Sequence, residues 1–444
     1  MEALGGSVIA SPSSADADRL ERPFPEIVDE LRGPGAHQPD GHLGRRLRGP
    51  GLCRLLPRAE RRAADGRGAG PRGVRQVVGR LDGCPTPPTT STGTPWSSPP
   101  SSRTSPPPAL NIGAWCDLYI GQTLRTYTTA RRQAGSVQAR EGQRLIIGPW
   151  DHMSASGVYP GRSVGPLASA QMLGLTGLHV KFFDRWLRGD TTALDSVAPV
   201  KVFVMVIDLR RDEQEWPLPD TQWTDFHLTS AGHANTVGGD GALTTEPPTG
   251  TGHDTYLYDP RRPVPTAGGA SMPTTFGFCG PVDQRTVASR EDVLCFAGPV
   301  LEEAVEVTGP VSLTLYVSSS ALDTDFTAKL VDVFPDGKAI NLCDGILRAR
   351  YRDGLATEEL MEPGTVYEIT VDMTATSNVF LPGHRIRVDI SSSNFPRYDR
   401  NTNTGGVIAR ESEEQMIPAV NHIHHGPDHP SRLVLPVIDR KDQR

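Results

Sequence analysis

Apolar residues between positions 109 and 152 fall into two short runs, and each run ends at a turn beside one ionisable residue. Residues 109–112 and 145–147 are flanked by Gly and Pro, a pattern typical of buried parallel strands. The segment between them, about 119–139, carries Leu124 and Tyr127 among polar neighbours and predicts a helix. A strand, a helix and a second strand together predict a βαβ unit.

Residues 166–189 follow with apolar side chains at helical spacing, and Gly189 comes after the last of them. This pattern predicts one amphipathic helix that ends at the glycine. Its aromatic residues favour core packing over a cofactor site.

From residue 199 onward, apolar and polar positions alternate in short runs that turn residues separate. These runs lie at 200–206, 226–228, 255–258, 311–317, 327–334, 366–371, 384–390 and 431–437. A period of two with turns at this density predicts an antiparallel β-sandwich or jelly roll. Residues 332–337, which include Pro335 and Gly337, predict a hairpin turn.

The first hundred residues have a different composition. Residues 1–32 predict two short helices, whereas residues 33–108 are rich in Arg, Gly, Ala and Pro and then in Ser, Thr and Pro. Apolar residues in 33–108 are too few and too aperiodic to bury a core. We therefore expect disorder or a linker there.

Net charge indicates which classes of partner to expect, and cysteine spacing indicates the cellular compartment. The chain has 45 basic and 52 acidic residues and a net charge of -7, so neither a nucleic-acid partner nor a membrane is predicted. Its six cysteines include no C-x-x-C pair, which favours free thiols in the cytoplasm. No cofactor is predicted.

Asp117 and His152 are the two ionisable residues that follow the βαβ strands. Because parallel strands end at one edge of a sheet, we expect the carboxylate and the imidazole to share that edge. An acid followed by a histidine is the chain order of the last two members of a Ser, Asp and His triad. The alternatives are that Asp117 only forms a turn or caps a helix, and that His152 is structural.

Cys116 and a cluster of histidines are two further candidate sites. Cys116 lies beside Asp117, but its side chain should point to the opposite face of the strand. The segment from His422 to His429 contains several histidines and Asp428, which are residue types that bind metal ions. A Gly-Pro step within that segment favours a solvated loop, so no metal is predicted.

Several motifs, in the same order, resemble those of the CocE/NonD hydrolases, a family of esterases, acylases and X-Pro dipeptidyl-peptidases. The acid and histidine motifs are Asn111-Ile-Gly-Ala-Trp-Cys-Asp117 and Gly148-Pro-Trp-Asp-His152. Further similar segments lie at 181–187, 306–313, 323–326, 381–388, 391–397 and 429–436. The resemblance covers about residues 109–438.

The resemblance implies a division into domains. Residues 1–32 would be a remnant of a helical cap, and residues 109–198 the C-terminal half of an α/β-hydrolase catalytic domain. Residues 199–444 would be a C-terminal jelly roll of the X-Pro dipeptidyl-peptidase type, which gives a fold class of α/β plus β.

The resemblance also implies residue roles. Asp117 would orient the imidazole, His152 would be the general base, and Tyr119 would line the substrate pocket. The family's nucleophile lies in a G-x-S-x-G elbow ahead of the acid, and we expect no G-x-S-x-G motif anywhere in this chain. No nucleophile is therefore predicted.

Two function classes stay open from the sequence. One is a serine hydrolase acting on a small ester, an amide or an X-Pro peptide, in which this chain alone is inactive and a homodimer is feasible. The other is a non-catalytic remnant or a β-sandwich binding module.

The tract at 33–108 carries its own hypothesis. GC-rich codons read in a wrong frame give Arg, Gly, Pro, Ala and Ser, and strand-like sequence resumes abruptly after Pro108. We predict that one of the other two frames encodes an apolar-periodic sequence through this interval. Translation of the underlying DNA measures this, and two aperiodic alternative frames would refute it.

Overall fold

The computed structural model of the protein describes residues 107–272 and 279–440. The predictions made for residues 1–106 lie outside these ranges. Within them, no helix has both the length and the apolar character needed to cross a membrane.

The described chain consists of a mixed α/β part followed by a mostly antiparallel β part. In chain order the strands are β1 (Leu110–Cys116), β2 (Arg144–Asp151), β3 (Val158–Tyr159), β4 (Arg162–Ser163), β5 (Val200–Val204), β6 (Leu209–Glu213), β7 (Gln222–Thr229), β8 (Ala242–Thr244), β9 (Gly252–Tyr258), β10 (Leu294–Ala297), β11 (Val305–Ser319), β12 (Asp325–Val333), β13 (Ala339–Arg348), β14 (Tyr367–Phe380), β15 (Arg385–Ser391), β16 (Ala419–His425) and β17 (Arg432–Ile438). The helices are α1 (Ile120–Gln133), α2 (Val137–Glu141), α3 (Ala170–Leu173), α4 (Leu175–Phe183) and α5 (Arg285–Ala288). A π-helix (Asp184–Arg188) and 3-10 turns at Ala349–Tyr351, Ile408–Arg410 and Glu413–Gln415 complete the elements.

The smaller sheet has four strands in the order β1, β2, β5, β6. β1 pairs with β2 and β2 with β5 in parallel, and β6 is antiparallel to β5. The predicted βαβ unit is confirmed, because α1 follows β1 and precedes β2 in the chain and packs against the sheet. Gly113 permits this packing, because a Cβ there would meet the Thr123 side chain at 3.0 Å and that of Ile147 at 3.1 Å.

Both predicted helices are interrupted. The helix expected at about 119–139 is split into α1 and α2 by residues 134–136, and Ser136 caps α2 by accepting a hydrogen bond from the Ala139 amide. A single helix over 166–189 was the wrong prediction. Gly174 has a φ of +69°, ends α3 and precedes α4, while Gly189 ends the π-helix as expected.

The larger sheet has eleven strands and accounts for the alternating sequence. Its order is β13, β12, β15, β10, β8, β7, β17, β11, β16, β9, with β14 also paired to β11. Nearly all pairs are antiparallel, and the predicted turn joins β12 to β13, with Gly337 at a φ of +82°. The alternation is therefore confirmed as a large, mostly antiparallel sheet, and the jelly-roll topology stays a prediction.

One predicted strand belongs to a different sheet from the one expected. Residues 200–206 were grouped with the β region, but β5 and β6 complete the smaller sheet through β2. The predicted domain boundary between 198 and 199 thus separates strands that one sheet joins. Four of the five residues of Val200–Val204 are apolar and buried, and the strand lies inside the smaller sheet, between β2 and β6.

The two sheets share buried contacts. Met205 exchanges backbone hydrogen bonds with Ser377 and Val379 of β14, and Ala375 and Ile438 pack in the same apolar cluster as Trp115 and the other core residues of the smaller sheet. Arg211 on β6 also makes a bidentate ion pair with Glu306 on β11. Both partners are buried, with side-chain exposures of 5% and 0%.

We predict that the buried ion pair between Arg211 and Glu306 is needed for stability. Glu306→Ala would leave the buried Arg211 guanidinium with only the longer contact to Glu213, at 3.8 Å, and should cost about 3 kcal/mol of unfolding free energy. The midpoint of urea denaturation of the full chain measures the effect.

The matched control is the exposed pair between Arg125 and Asp372, whose side chains are each 65% exposed. Arg125→Ala should cost no more than about 1 kcal/mol, because solvent screens that pair. Equal losses in the two variants would contradict a special role for the buried pair.

Candidate functional site

Asp117 and His152 occupy equivalent positions at the ends of two adjacent parallel strands. β1 ends at Cys116 and β2 ends at Asp151, and these two residues are register partners. The residue that follows each strand therefore emerges at the same sheet edge. Nδ1 of His152 lies 3.3 Å from Oδ1 and 3.4 Å from Oδ2 of Asp117.

Local hydrogen bonds hold both members of the pair. Oδ1 of Asp117 accepts a hydrogen bond of 2.9 Å from the backbone N–H of Tyr119, just ahead of α1. Asp117 therefore also has the turn-forming role that is the alternative to a catalytic one. Asp151 Oδ1 accepts from the N–H groups of Met153 and Ser154 at 2.7 and 2.8 Å, and this fixes the turn that carries His152.

Sequence reasoning did not single out Asp151 as a positioning residue. The signal was present, since an Asp that precedes a short polar segment commonly accepts hydrogen bonds from amides two and three residues later.

Tyr119 lies against the imidazole. Its ring meets that of His152 edge to face, with ring centroids 5.3 Å apart, and the Tyr119 residue is 42% exposed. The structure thus brings together all three residues that the sequence selected: Asp117, Tyr119 and His152.

This arrangement can support proton transfer. A proton on Nδ1 of His152 points at the carboxylate of Asp117, which leaves Nε2 to accept a proton from another group. The separation of 3.3 Å is longer than in a tight charge-assisted hydrogen bond, as is common in sites without a bound substrate.

Among the described residues, no serine, threonine or cysteine side chain forms a hydrogen bond with His152. The expectation that the chain has no G-x-S-x-G motif is wrong, because such a string occurs after the histidine, at residues 161–165. Its serine, Ser163, lies in the short β3–β4 hairpin. A nucleophile elbow instead places its serine between a strand and a helix.

A second Ser, His and Asp group lies in the larger sheet but has the wrong connectivity for a triad. Nε2 of His425 is 3.0 Å from Ser230 Oγ and 3.3 Å from Asp254 Oδ2. Ser230 also donates directly to Asp254 at 2.7 Å. In a triad the carboxylate and the serine contact opposite ring nitrogens, so this group is structural.

Cys116 is buried in the apolar cluster of the smaller sheet. Burial raises the pKa of its thiol to about 12, against a smaller opposing contribution from a hydrogen bond with Tyr159. A thiol with this pKa is almost wholly protonated at neutral pH and is a poor nucleophile.

The predicted loop at the histidine cluster is wrong for His422–His425, which form the end of β16. Within residues 107–272 and 279–440, no group of three or more His, Cys, Asp or Glu side chains is placed so that it could hold a metal ion. A cavity of about 200 Å³ lies beside β2 and β5, and neither Asp117 nor His152 lines it.

Comparisons with known proteins agree with these features. Residues 192–434, more than half of the chain, match the model of the X-Pro dipeptidyl-peptidase C-terminal non-catalytic domain. Cocaine esterase from Rhodococcus sp. (strain MB1 Bresler) is 54% identical over 333 residues, which cover 75% of this chain and 57% of that protein. This chain therefore spans little more than half of the relative's length.

Solved structures are similar over the same part of the chain. The crystal structure of an aminopeptidase from a marine sediment archaeon, Thaumarchaeota archaeon, matches with a TM-score of 0.65 and 27% identity, covering 76% of this chain and 56% of that one. A CocE/NonD family hydrolase from Staphylococcus aureus shares the fold, with a TM-score of 0.52 and 16% identity, covering 77% of this chain and 55% of the other.

Three findings lead to the same family. They are the family model matched by residues 192–434, the identity to an esterase and the shared fold. The chain belongs to the CocE/NonD family of hydrolases.

Proposed function

We propose that this chain carries the acid and base of a serine hydrolase that cleaves an ester, an amide or an X-Pro peptide through an acyl-enzyme. The observation that carries the proposal is the contact between the Asp117 carboxylate and Nδ1 of His152 at the ends of adjacent parallel strands. Homology to an esterase supports the ester among these substrates.

Each residue has a distinct role in this proposal. Nε2 of His152 takes the proton of the serine hydroxyl during acylation and later deprotonates the water that releases the acyl group. Asp117 fixes the ring orientation and stabilises the imidazolium that forms. Tyr119 lines the acyl pocket, since its exposed ring lies against the imidazole.

The nucleophile in this proposal comes from outside the described residues. Ser163 sits in a hairpin, and the Ser230 hydroxyl is committed to Asp254. We therefore propose that the chain alone is inactive. The match to cocaine esterase leaves 43% of that protein uncovered, taken as 100% less the 57% that is covered. That remainder is the natural source of a complementary nucleophile.

A non-catalytic role is the second candidate. The family model that matches residues 192–434 describes a non-catalytic domain, and this region contains most of the described chain. In this alternative the β part acts as a binding module and the pair at Asp117 and His152 is a remnant.

Other features of the proposal extend the sequence-based expectations. We propose that residues 109–198 are part of a catalytic domain, that the larger sheet within residues 199–444 forms a jelly roll, and that the protein is cytoplasmic and able to form a homodimer. The four described cysteines are free and buried, which supports a reducing compartment.

We predict that the chain alone neither reacts with a fluorophosphonate probe nor hydrolyses p-nitrophenyl esters. A chimera, with the uncovered part of the Rhodococcus esterase joined ahead of residue 109, should do both. In that chimera His152→Asn should lower kcat on the order of 10⁶-fold and Asp117→Asn on the order of 10⁴-fold. Probe labelling with peptide mapping and initial rates of ester hydrolysis measure these changes.

His179→Asn is the matched control in the chimera. His179 is a half-buried histidine on α4 whose Nδ1 lies 2.9 Å from the Leu175 carbonyl oxygen, so its loss should leave kcat unchanged. Labelling of Ser163 in the chain alone would show a nucleophile within it. An active chimera in which His152→Asn has no effect would remove His152 from the mechanism.

A further inference from the structure

The cavity of about 200 Å³ on the smaller sheet lies apart from the candidate catalytic pair. Residues of β2, β5 and β6 line it, together with residues of the segment 168–173, which ends in α3. Most of the lining side chains are apolar, and they include Ile146, Trp150, Leu173 and Phe203. An apolar cavity with a few polar groups at its wall is the usual form of a small-molecule site.

Trp150 forms a fixed part of the cavity wall. Its ring folds back over the strand that carries it, and a Cβ at Gly148 would meet that ring at 2.2 Å, so only glycine leaves room for it. The indole N–H donates to the carbonyl oxygen of Ala168 at 2.7 Å, which ties the ring to the segment that leads into α3. The wall is therefore held in place without a ligand, and the cavity is preformed.

Lys201 and Asp212 form an ion pair at the cavity. They are register partners on β5 and β6, and Nζ of Lys201 lies 2.5 and 2.7 Å from the two carboxylate oxygens of Asp212. The Lys201 side chain is 17% exposed and that of Asp212 is 57% exposed, so the pair opens to solvent on the side of the carboxylate. The positive charge of Lys201 is thus matched before any ligand binds.

Arg210 is the second cation of the cavity lining. Its guanidinium donates to the carbonyl oxygens of Leu167 and Ser169, at 2.9 Å for Ser169. Burial lowers the pKa of Arg210, and the nearby carboxylate of Asp208 opposes that shift. Each cation therefore has a carboxylate close to it, and an entering ion would meet no unpaired charge.

The volume of the cavity suits a ligand built on one aromatic ring. An apolar cavity of roughly 150 Å³ is large enough to hold benzene. Unfilled apolar walls lose dispersion contacts that a ligand of matching size restores. The rings of Trp150 and Phe203 favour an aromatic ligand, because aromatic pairs gain from offset or edge-to-face contact.

We propose that this cavity is a binding site for a small uncharged aromatic molecule that carries one hydroxyl or carbonyl oxygen. The apolar wall takes the ring, and the paired charges disfavour an ionic ligand, whose charge would have to leave water without a free partner. Lys201 and Arg210 have N–H groups beyond those already engaged, and these can donate to the ligand oxygen.

The test is a ligand-observed NMR titration of the full chain with three probes of similar shape, which are benzyl alcohol, benzoate and benzylammonium. We expect saturable binding of benzyl alcohol at one site per chain, with a dissociation constant of about 1 mM or lower. Benzoate and benzylammonium should each bind about tenfold more weakly or less, because of the cost of desolvating their charge. This comparison uses the unaltered chain and does not depend on whether the chain is an enzyme.

Leu173→Trp should fill the cavity and weaken binding of benzyl alcohol about tenfold or more. Met172→Trp is the matched control, since Met172 precedes Leu173 on α3, is 59% exposed and does not line the cavity. Circular dichroism checks that both variants are folded. No saturable binding of benzyl alcohol, tighter binding of either ion, or equal affinity in the two folded variants would overturn the proposal.

Discussion

The parallel pairing of β1 with β2 is the constraint on which the candidate site depends. Ala114 pairs with Gly148 and Cys116 with Asp151, so β2 carries one extra residue at this end of the sheet. The register brings the residues after the two strands together. The indole N–H groups of Trp115 and Trp150 hold the strand ends by donating to the carbonyl oxygens of Phe203 and Ala168, at 2.8 and 2.7 Å. Backbone geometry therefore sets the position of Asp117 relative to His152.

The larger sheet supports this edge through the next strands of the smaller one. Met205, directly after β5, is hydrogen-bonded to β14, and the ion pair between Arg211 and Glu306 ties β6 to β11. The side chains of Ala375 and Ile438 fill the same cluster as Trp115. The larger sheet therefore helps to fix the strands next to the candidate site, because those strands pack on it.

Sequence patterns predicted the features that depend on local periodicity and strand order. They gave the βαβ unit, most β strands and the meeting of Asp117 with His152. They failed where a tertiary partner decides the outcome. The pattern of Val200–Val204 fits a strand in either sheet, and only its pairing with β2 shows that it belongs to the smaller sheet. A glycine such as Gly174 can lie within a helix, so the sequence does not show that this one adopts a positive φ and ends α3. The polar residues of β16 resemble a loop in the sequence, but they form a strand that is paired on both sides.

Two sets of residues in this chain show why residue type alone does not identify a triad. At His425 the serine and the aspartate both approach Nε2, and the serine donates its proton directly to the carboxylate and not to the imidazole. At His152 the carboxylate approaches Nδ1, which leaves Nε2 for a nucleophile that no described residue supplies. The complete set of residue types has the wrong geometry, and the incomplete set has the geometry that acid–base catalysis requires. The direction from which each group meets the ring decides between them.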